Sequence, residues 1–304
     1  MLRDLVDAET TSLTAQFNGA QPAPVGRHWP IKIEHKSTGI RFRPEDSPFR
    51  TLFVDITHRC NMACRNCYIP NRDIEDMPTA FLYDVLSRLP RRTRIRLVGA
   101  EPTLREDLPE IIAQTRRLGH LPVILSNGLR LVNRRLVERL KAAGLRTVYL
   151  SMNGGIDDQL YLAIDDLACA KQKMRALEQL SRAKMHVTVG MILVRGVNDS
   201  HLPDFLSFLD AYPQVGDIHV RSVGKFGSYM DTVPYLQDEL NQLVASSVSG
   251  RFDPASARTF ITTPGKRIEI TQWPELGSRG RGRLTPDGFV EPFFEHVIEN
   301  TGGY

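Results

Sequence analysis

The chain has 304 residues, 41% of them hydrophobic and 24% charged, with a formal net charge of +4 and a pI near 8.9. These values exclude a fibrous or disordered protein. No apolar run nears the roughly 18 residues of a membrane span and MLRDLVDAETTS lacks a signal-peptide pattern, so a cytoplasmic globular protein is expected. A charge of +4 is weak beside dedicated nucleic-acid binders. The clusters Arg88, Arg91, Arg92, Arg94, Arg96 and Arg279, Arg281, Arg283 therefore read first as solvated surface, with an anionic small substrate or a nucleic acid as the other uses.

In chain order, residues 1–28 carry no strong pattern and are expected to be loosely attached. Residues 29–57 hold the alternating runs WPIKIEH, IRFRP and TLFVDIT with a break at Thr38-Gly39, which predicts a small hairpin leading into a first core strand. From residue 51 on, β-rich runs alternate with helical patterns. Strands are predicted near RIRLVG, LPVILSN, RTVYLSMN, HVTVGMILV and DIHVRSV.

Leu104, Leu108, Ile111, Ile112, Thr115 and Leu118 make one buried stripe ending before Gly119, and Leu136, Val137 and Leu140 do so ahead of Gly144. Further helices are predicted over about 169–182, from Ser200 to Leu209, and over 234–248. The count is six strands and about six helices, too few for a closed eight-stranded barrel. A partial barrel follows, with ligands at the C-terminal strand ends. TFITT, KRIEIT and a hairpin turning at Asp287-Gly288 read as a C-terminal part. The expected segments are 1–50, an N-terminal extension; 51–225, the barrel; and 226–304, a β-containing extension or lid, in which the 280s hairpin and the Tyr304 tail are candidates to cover the pocket.

Cys60, Cys64 and Cys67 stand in a C-x3-C-x2-C spacing in VDITHRCNMACRNCYIP, directly after the first predicted strand. Four cysteines, three of them this close, do not make a disulfide framework and point to metal. Three thiolates on one short loop reach three corners of an iron-sulfur cube and leave the fourth iron without a protein ligand. A zinc-stabilised binding module is the competing reading, with His58 able to serve as fourth ligand.

Three strand-end motifs accompany the cysteines. Gly99-Ala100-Glu101-Pro102-Thr103 follows the second strand, Ser126-Asn127-Gly128 the third, and Ser151-Met152-Asn153-Gly154 the fourth. With these, residues 51–225 resemble the radical S-adenosylmethionine (radical SAM) superfamily, with a MoaA/NifB/PqqE-like core and no cysteine-rich auxiliary-cluster domain. The motifs are similar to its Gly-Gly-Glu-Pro, Thr-Asn-Gly and Ser-x-Asp-Gly patterns. Ala100 departs from the family glycine, and Asn66 stands where the family usually has an aromatic bordering the adenine.

The resemblance implies an α/β fold, a partial (β/α)6 TIM-like barrel, and an enzyme whose Cys60, Cys64 and Cys67 hold a [4Fe-4S] cluster that cleaves S-adenosylmethionine to a 5′-deoxyadenosyl radical. It implies cofactor contacts at Asn66, from the backbone carbonyls of Gly99 and Ala100, and from the carboxylate of Glu101 to the methionine ammonium. Ser126, Asn127 and Ser151 suit the ribose or carboxylate, and Arg195 and Arg221 could neutralise a carboxylate. A flavodoxin or ferredoxin would supply the electron.

With no cysteine beyond Cys169 for a second cluster, redox-neutral chemistry on a small molecule is expected, such as epimerisation, rearrangement or elimination. Methyl or group transfer and modification of RNA or a peptide are the alternatives. Cys169 could return a hydrogen atom to the substrate; a lone cysteine between Ala168 and Ala170 also reads as a small buried hydrophobe, the favoured reading.

Overall fold

The computed structural model describes residues 40–67, 69, 72, 74–224, 227–229, 231–272 and 280–293. The expected loose start, the WPIKIEH arm of the hairpin, Arg279 and the Tyr304 tail lie outside the described residues. The first part runs β1 (Thr51–Thr57), α1 (Thr79–Arg88), β2 (Arg94–Gly99), α2 (Leu108–Arg117), β3 (Leu121–Ser126), α3 (Arg134–Ala142) and β4 (Thr147–Ser151). It continues with α4 (Asp158–Asp165), α5 (Ala170–Arg182), β5 (His186–Leu193), α6 (Leu202–Asp210) and β6 (Val215–Ser222). After these come α7 (Gln237–Ser247), β7 (Gly250–Asp253), β8 (Ser256–Thr262), β9 (Arg267–Thr271), β10 (Arg281–Leu284) and β11 (Val290–Pro292).

All eleven strands form one sheet in the order β11-β10-β1-β2-β3-β4-β5-β6-β9-β8-β7. From β10 to β9 every neighbouring pair is parallel, while β11 and the β7–β8 hairpin close the two edges antiparallel. This is the partial TIM-like α/β barrel that the strand rhythm predicts. Residues after 226 add β9 alongside β6 and β10 alongside β1, so the parallel wall has eight strands where six were expected. Nothing in KRIEIT marks it as a wall strand, because it arrives from an antiparallel hairpin rather than from a helix.

Period-two alternation sorts each strand. Leu52, Val54, Ile56, Ile95, Leu97, Ile124, Val148 and Leu150 turn outward into one core with Leu82, Leu86, Ile111, Ile112, Val137, Leu140, Leu177 and Leu180 of the helices. Each such side chain contributes about 1.5–3 kcal/mol by leaving water. The alternate residues face the barrel interior, and many of them are polar.

Two local details differ from expectation. The stripe read from Leu104 is broken: Pro102–Leu104 is a separate 3-10 turn and the helix starts at Leu108. The break is set by Arg105, which is buried, donates from Nη1 to the carbonyls of Ile56 and Met77 at 2.7 Å each, and pairs with Asp107 through Nε and Nη2. Phe42 of IRFRP bridges antiparallel to Val290, with both backbone bonds at 2.9 Å, while its expected pairing with WPIKIEH lies outside the described residues. The helix α4 is not among the predicted helices; its N-cap is Asp157, whose carboxylate accepts from Gln159 N at 2.7 Å.

Candidate active site

The site gathers at the C-terminal ends of the parallel strands. Gly99 closes β2 with φ +114, and a Cβ there would lie 1.9 Å from the Thr57 carbonyl oxygen. Only glycine lets the β2 exit press against the β1 exit. Ala100 N then donates to Thr57 O and Glu101 N to Arg59 O, both at 2.9 Å, which ties the second motif to the start of the cysteine loop. The loop is held elsewhere by Arg65 N to Ile164 O at 3.1 Å and by Ser228 N to Arg65 O at 2.9 Å.

Cys60, Cys64 and Cys67 all line one cavity, together with Asn66, Gly99, Ala100, Ser126, Asn127, Ser151 and Arg221. Burial pushes the Cys60 thiol up to about 11, with Arg72 the strongest opposing charge. The Cys64 thiol is pushed well above its ordinary value, by burial first and then by the charge of Asp165. Thiols buried in this way stay protonated until a metal displaces the proton.

Among the described residues, no three His, Cys, Asp or Glu side chains converge as they would on a single metal ion. His58 is absent from the cavity wall, and its Nδ1 is buried without a partner. Three separated thiols facing one chamber fit a cluster better than a single ion.

Glu101 departs from its expected role. It is fully buried and does not line the cavity. Its Oε1 accepts from Thr103 N at 3.0 Å, Thr103 Oγ1 at 2.6 Å and Ser126 Oγ at 2.9 Å, and its Oε2 from Asn127 N at 2.7 Å. The carboxylate thus joins the β2 and β3 exits and supports the cavity wall from behind. Glu101→Ala leaves four donors without their acceptor, at a cost of about 1–3 kcal/mol each for those left unsatisfied. It should weaken S-adenosylmethionine binding at least about tenfold while leaving the iron content unchanged. Equilibrium dialysis of the cofactor beside iron analysis checks this; unchanged binding would remove Glu101 from the site's support.

Asn127 reaches the cysteine loop, with Nδ2 donating to Asn61 Oδ1 at 2.8 Å and lying 3.9 Å from Cys60 Sγ. Arg195 is not in the site. Its guanidinium binds both carboxylate oxygens of Glu239, at 2.9 and 2.8 Å, and lies 4.0 Å from the Tyr235 ring centroid. The chain turns after β5, so the buried neighbour Val194 faces inward and Arg195 faces out. Cys169 is fully buried among Met62, Leu129, Tyr161 and Ala170, packed behind Cys60 and Cys64 rather than on the cavity wall. Burial pushes its thiol up to about 12.

Several lining residues escaped sequence reasoning. Lys173 on α5 is fully buried and donates to Asn127 O at 2.6 Å and Ser151 O at 3.0 Å, clamping the third and fourth motifs together. The available signal was a lysine in register with Ala176, Leu177 and Leu180 on the buried stripe. Asp165, also buried, accepts from Asn153 Nδ2 at 2.9 Å, and burial raises its carboxyl while Lys173 opposes the shift.

Deeper in the barrel lie Phe53, Asp55, Arg96, Tyr149, His219, Arg281, Arg283 and Phe293. Arg283 pairs with Asp55 at 2.6 Å, and Arg96 sits 5.1 Å from the Phe53 ring centroid with its Nε buried and unpartnered. Arg96, Arg281 and Arg283 are therefore chamber residues and not the solvated surface that the sequence suggested. The 280s hairpin enters the chamber wall with them.

A cysteine-loop α/β barrel with its open end lined by backbone motifs and thiols is the framework of an iron-sulfur radical enzyme. The Radical SAM superfamily model matches residues 54–209, half of the chain, and the chain belongs to that superfamily. Membership of that superfamily brings a [4Fe-4S] cluster and S-adenosylmethionine as cofactors.

Among curated relatives, the chain is 32% identical to 7,8-dihydro-6-hydroxymethylpterin dimethyltransferase of Methanocaldococcus jannaschii, over 51% of this chain but only 32% of that protein. It is 25% identical to a probable GTP 3′,8-cyclase of Pyrococcus abyssi, over 80% of this chain and 84% of that one. The fold is similar to that of Streptococcus suis SuiB bound to S-adenosylmethionine, at TM-score 0.62 and 14% identity, covering 84% of this chain and 63% of SuiB. No helix among the described residues is long and apolar enough to cross a membrane.

Proposed function

We propose that this radical SAM enzyme removes a hydrogen atom from an anionic small molecule and completes a redox-neutral conversion of it. The observation that carries the reading is the convergence of Arg96, Arg221, Arg281 and Arg283 on the chamber beyond the cysteine loop. Cys60, Cys64 and Cys67 would hold a [4Fe-4S] cluster, which with an electron from a flavodoxin or ferredoxin would supply the reductive cleavage of S-adenosylmethionine.

This chain's residues do the rest. Lys173 holds the two carbonyls that shape the cofactor wall. The guanidinium groups hold the substrate's anionic end, because planar forks match phosphate and carboxylate. Asp55 keeps the Arg283 fork in place. Phe53 and Phe293 stack with centroids 4.1 Å apart and help to keep water from the reacting carbon. The redox-neutral outcome is supported by cysteine use: three sit in the loop and Cys169 packs behind it.

The test is anaerobic incubation with S-adenosylmethionine, a reductant and a panel of nucleotides, sugar phosphates and carboxylic acids beside their neutral counterparts. GTP, after which the Pyrococcus relative is named, belongs in the panel. An anionic compound should stimulate 5′-deoxyadenosine formation, and Arg281→Gln should raise its KM by about 10–150-fold, the equivalent of one charged hydrogen bond of about 1.5–3 kcal/mol. Equal stimulation by the neutral counterpart, or by tRNA or a peptide alone, would overturn the reading.

A further inference from the structure

Arg72 lies five residues beyond Cys67 and reaches back to the same chamber wall. Its Nη2 donates to Cys67 Sγ at 2.8 Å, while its Nη1 is buried without a partner. The three sulfurs are not treated alike. Cys60 feels the Arg72 charge but has the neutral Asn127 amide as its contact, at 3.9 Å from Sγ, and Cys64 stands beside the buried carboxyl of Asp165 with the Lys173 charge opposing it. The other arginine of the cysteine loop, Arg65, is directed elsewhere: its guanidinium goes to Asp166 at 3.3 Å and is half exposed.

The potential of an iron-sulfur cluster is set by its net charge, by hydrogen bonds to its sulfurs and by exposure. Residues behind the ligands tune it through those same bonds. An arginine keeps its charge under all working conditions, and its bond to a thiolate sulfur is charge-assisted. Adding an electron makes the ligated sulfurs more negative. A fixed cation bonded to one of them therefore stabilises the reduced form more than the oxidised form. Half burial weakens the solvent screening that would otherwise blunt this effect.

We propose that Arg72 acts through Cys67 as a positioning residue that raises the reduction potential of the cluster, bringing it within reach of a protein electron donor. Asp165 on the Cys64 side and the three thiolates all make reduction harder, and Arg72 is the counterweight on the Cys67 side.

The experiment is an EPR-monitored potentiometric titration of anaerobically reconstituted protein without S-adenosylmethionine, with iron and sulfide measured on each sample. Arg72→Gln should keep its iron and sulfide but be harder to reduce. At a given potential its reduced-to-oxidised ratio should fall by about tenfold or more, which is about 59 mV for a one-electron couple. Arg72→Lys, which keeps the charge but not the planar fork, should lose less. Arg65→Gln, which removes a cation from the same loop without touching a sulfur, should titrate like the parent.

A fully loaded Arg72→Gln variant with the parent potential would overturn the proposal, as would an Arg65→Gln shift of equal size. Should Arg72→Gln fail to hold its iron, protein labelled with 15N-arginine decides the matter. Pulsed EPR of its reduced cluster should show hyperfine coupling to an arginine nitrogen, and absence of that coupling would overturn the assignment.

Discussion

Replacing Cys60, Cys64 and Cys67 together with alanine should leave a colourless protein. About four irons and four sulfides per chain should be lost relative to the reconstituted parent, and 5′-deoxyadenosine formation should fall to background. The three thiols share one cavity wall. Cys60 and Cys64 are desolvated enough that a bare thiolate is disfavoured, so metal ligation would be needed to ionise them. Because loading ties the loop after β1 to one rigid group, the parent should also melt at a higher temperature with its cluster than without it, a difference that the triple variant should lack. Iron and sulfide analysis with absorbance and a thermal melt checks all of this. Roughly one tightly bound zinc and no sulfide in the parent would sink the assignment.

Lys173→Met should produce the second large effect, because it keeps most of the volume on α5 while removing the only cation placed on the Asn127 and Ser151 carbonyls among the described residues. Two buried acceptors lose a donor, at about 1–3 kcal/mol each. Asp165 also loses the charge that most opposes its raised carboxyl, so that carboxyl rises further.

The sign of the pH dependence follows from that direction. A carboxyl raised in the folded state adds stability that is fully present below its unfolded pKa and is lost as pH rises through the folded value. The stability deficit of Lys173→Met against the parent should therefore widen only as pH rises through the parent's own raised Asp165 value, above the ordinary Asp range, toward neutrality. At neutral pH the deficit should reach about 2–6 kcal/mol, the scale of leaving two buried carbonyls without their donor. S-adenosylmethionine affinity should fall at least about tenfold, because the third and fourth motifs lose their clamp. Lys173→Arg, which restores the charge in a larger side chain, should recover part of the binding. Denaturant titrations at several pH values and equilibrium dialysis measure both; a variant with parental binding and stability would show that Lys173 only fills space.

The sequence by itself determined the strand-helix rhythm, the loop that carries Cys60, Cys64 and Cys67, and the motifs at Gly99, Ser126 and Ser151, because each is local. A period of two or 3.6, a thiol spacing and a glycine turn are written within a few residues of one another. Tertiary structure alone decided what shares a chamber. Polar residues alternating along a strand face water in an open sheet but face the lumen in a barrel. Arg96, Tyr149, His219 and Arg283 therefore carry the sequence pattern of a solvated face while lining an enclosed space. Direction was equally illegible: Glu101 follows a strand end as a ligand contact would, yet turns back to bind Thr103, Ser126 and Asn127, and Arg195 turns out to Glu239. Lys173 joins the site from a helix 22 residues after Ser151, a contact made only when α5 packs across the β3 and β4 exits. Such contacts depend on how elements pack, and packing joins residues whose sequence neighbours carry no trace of the partner.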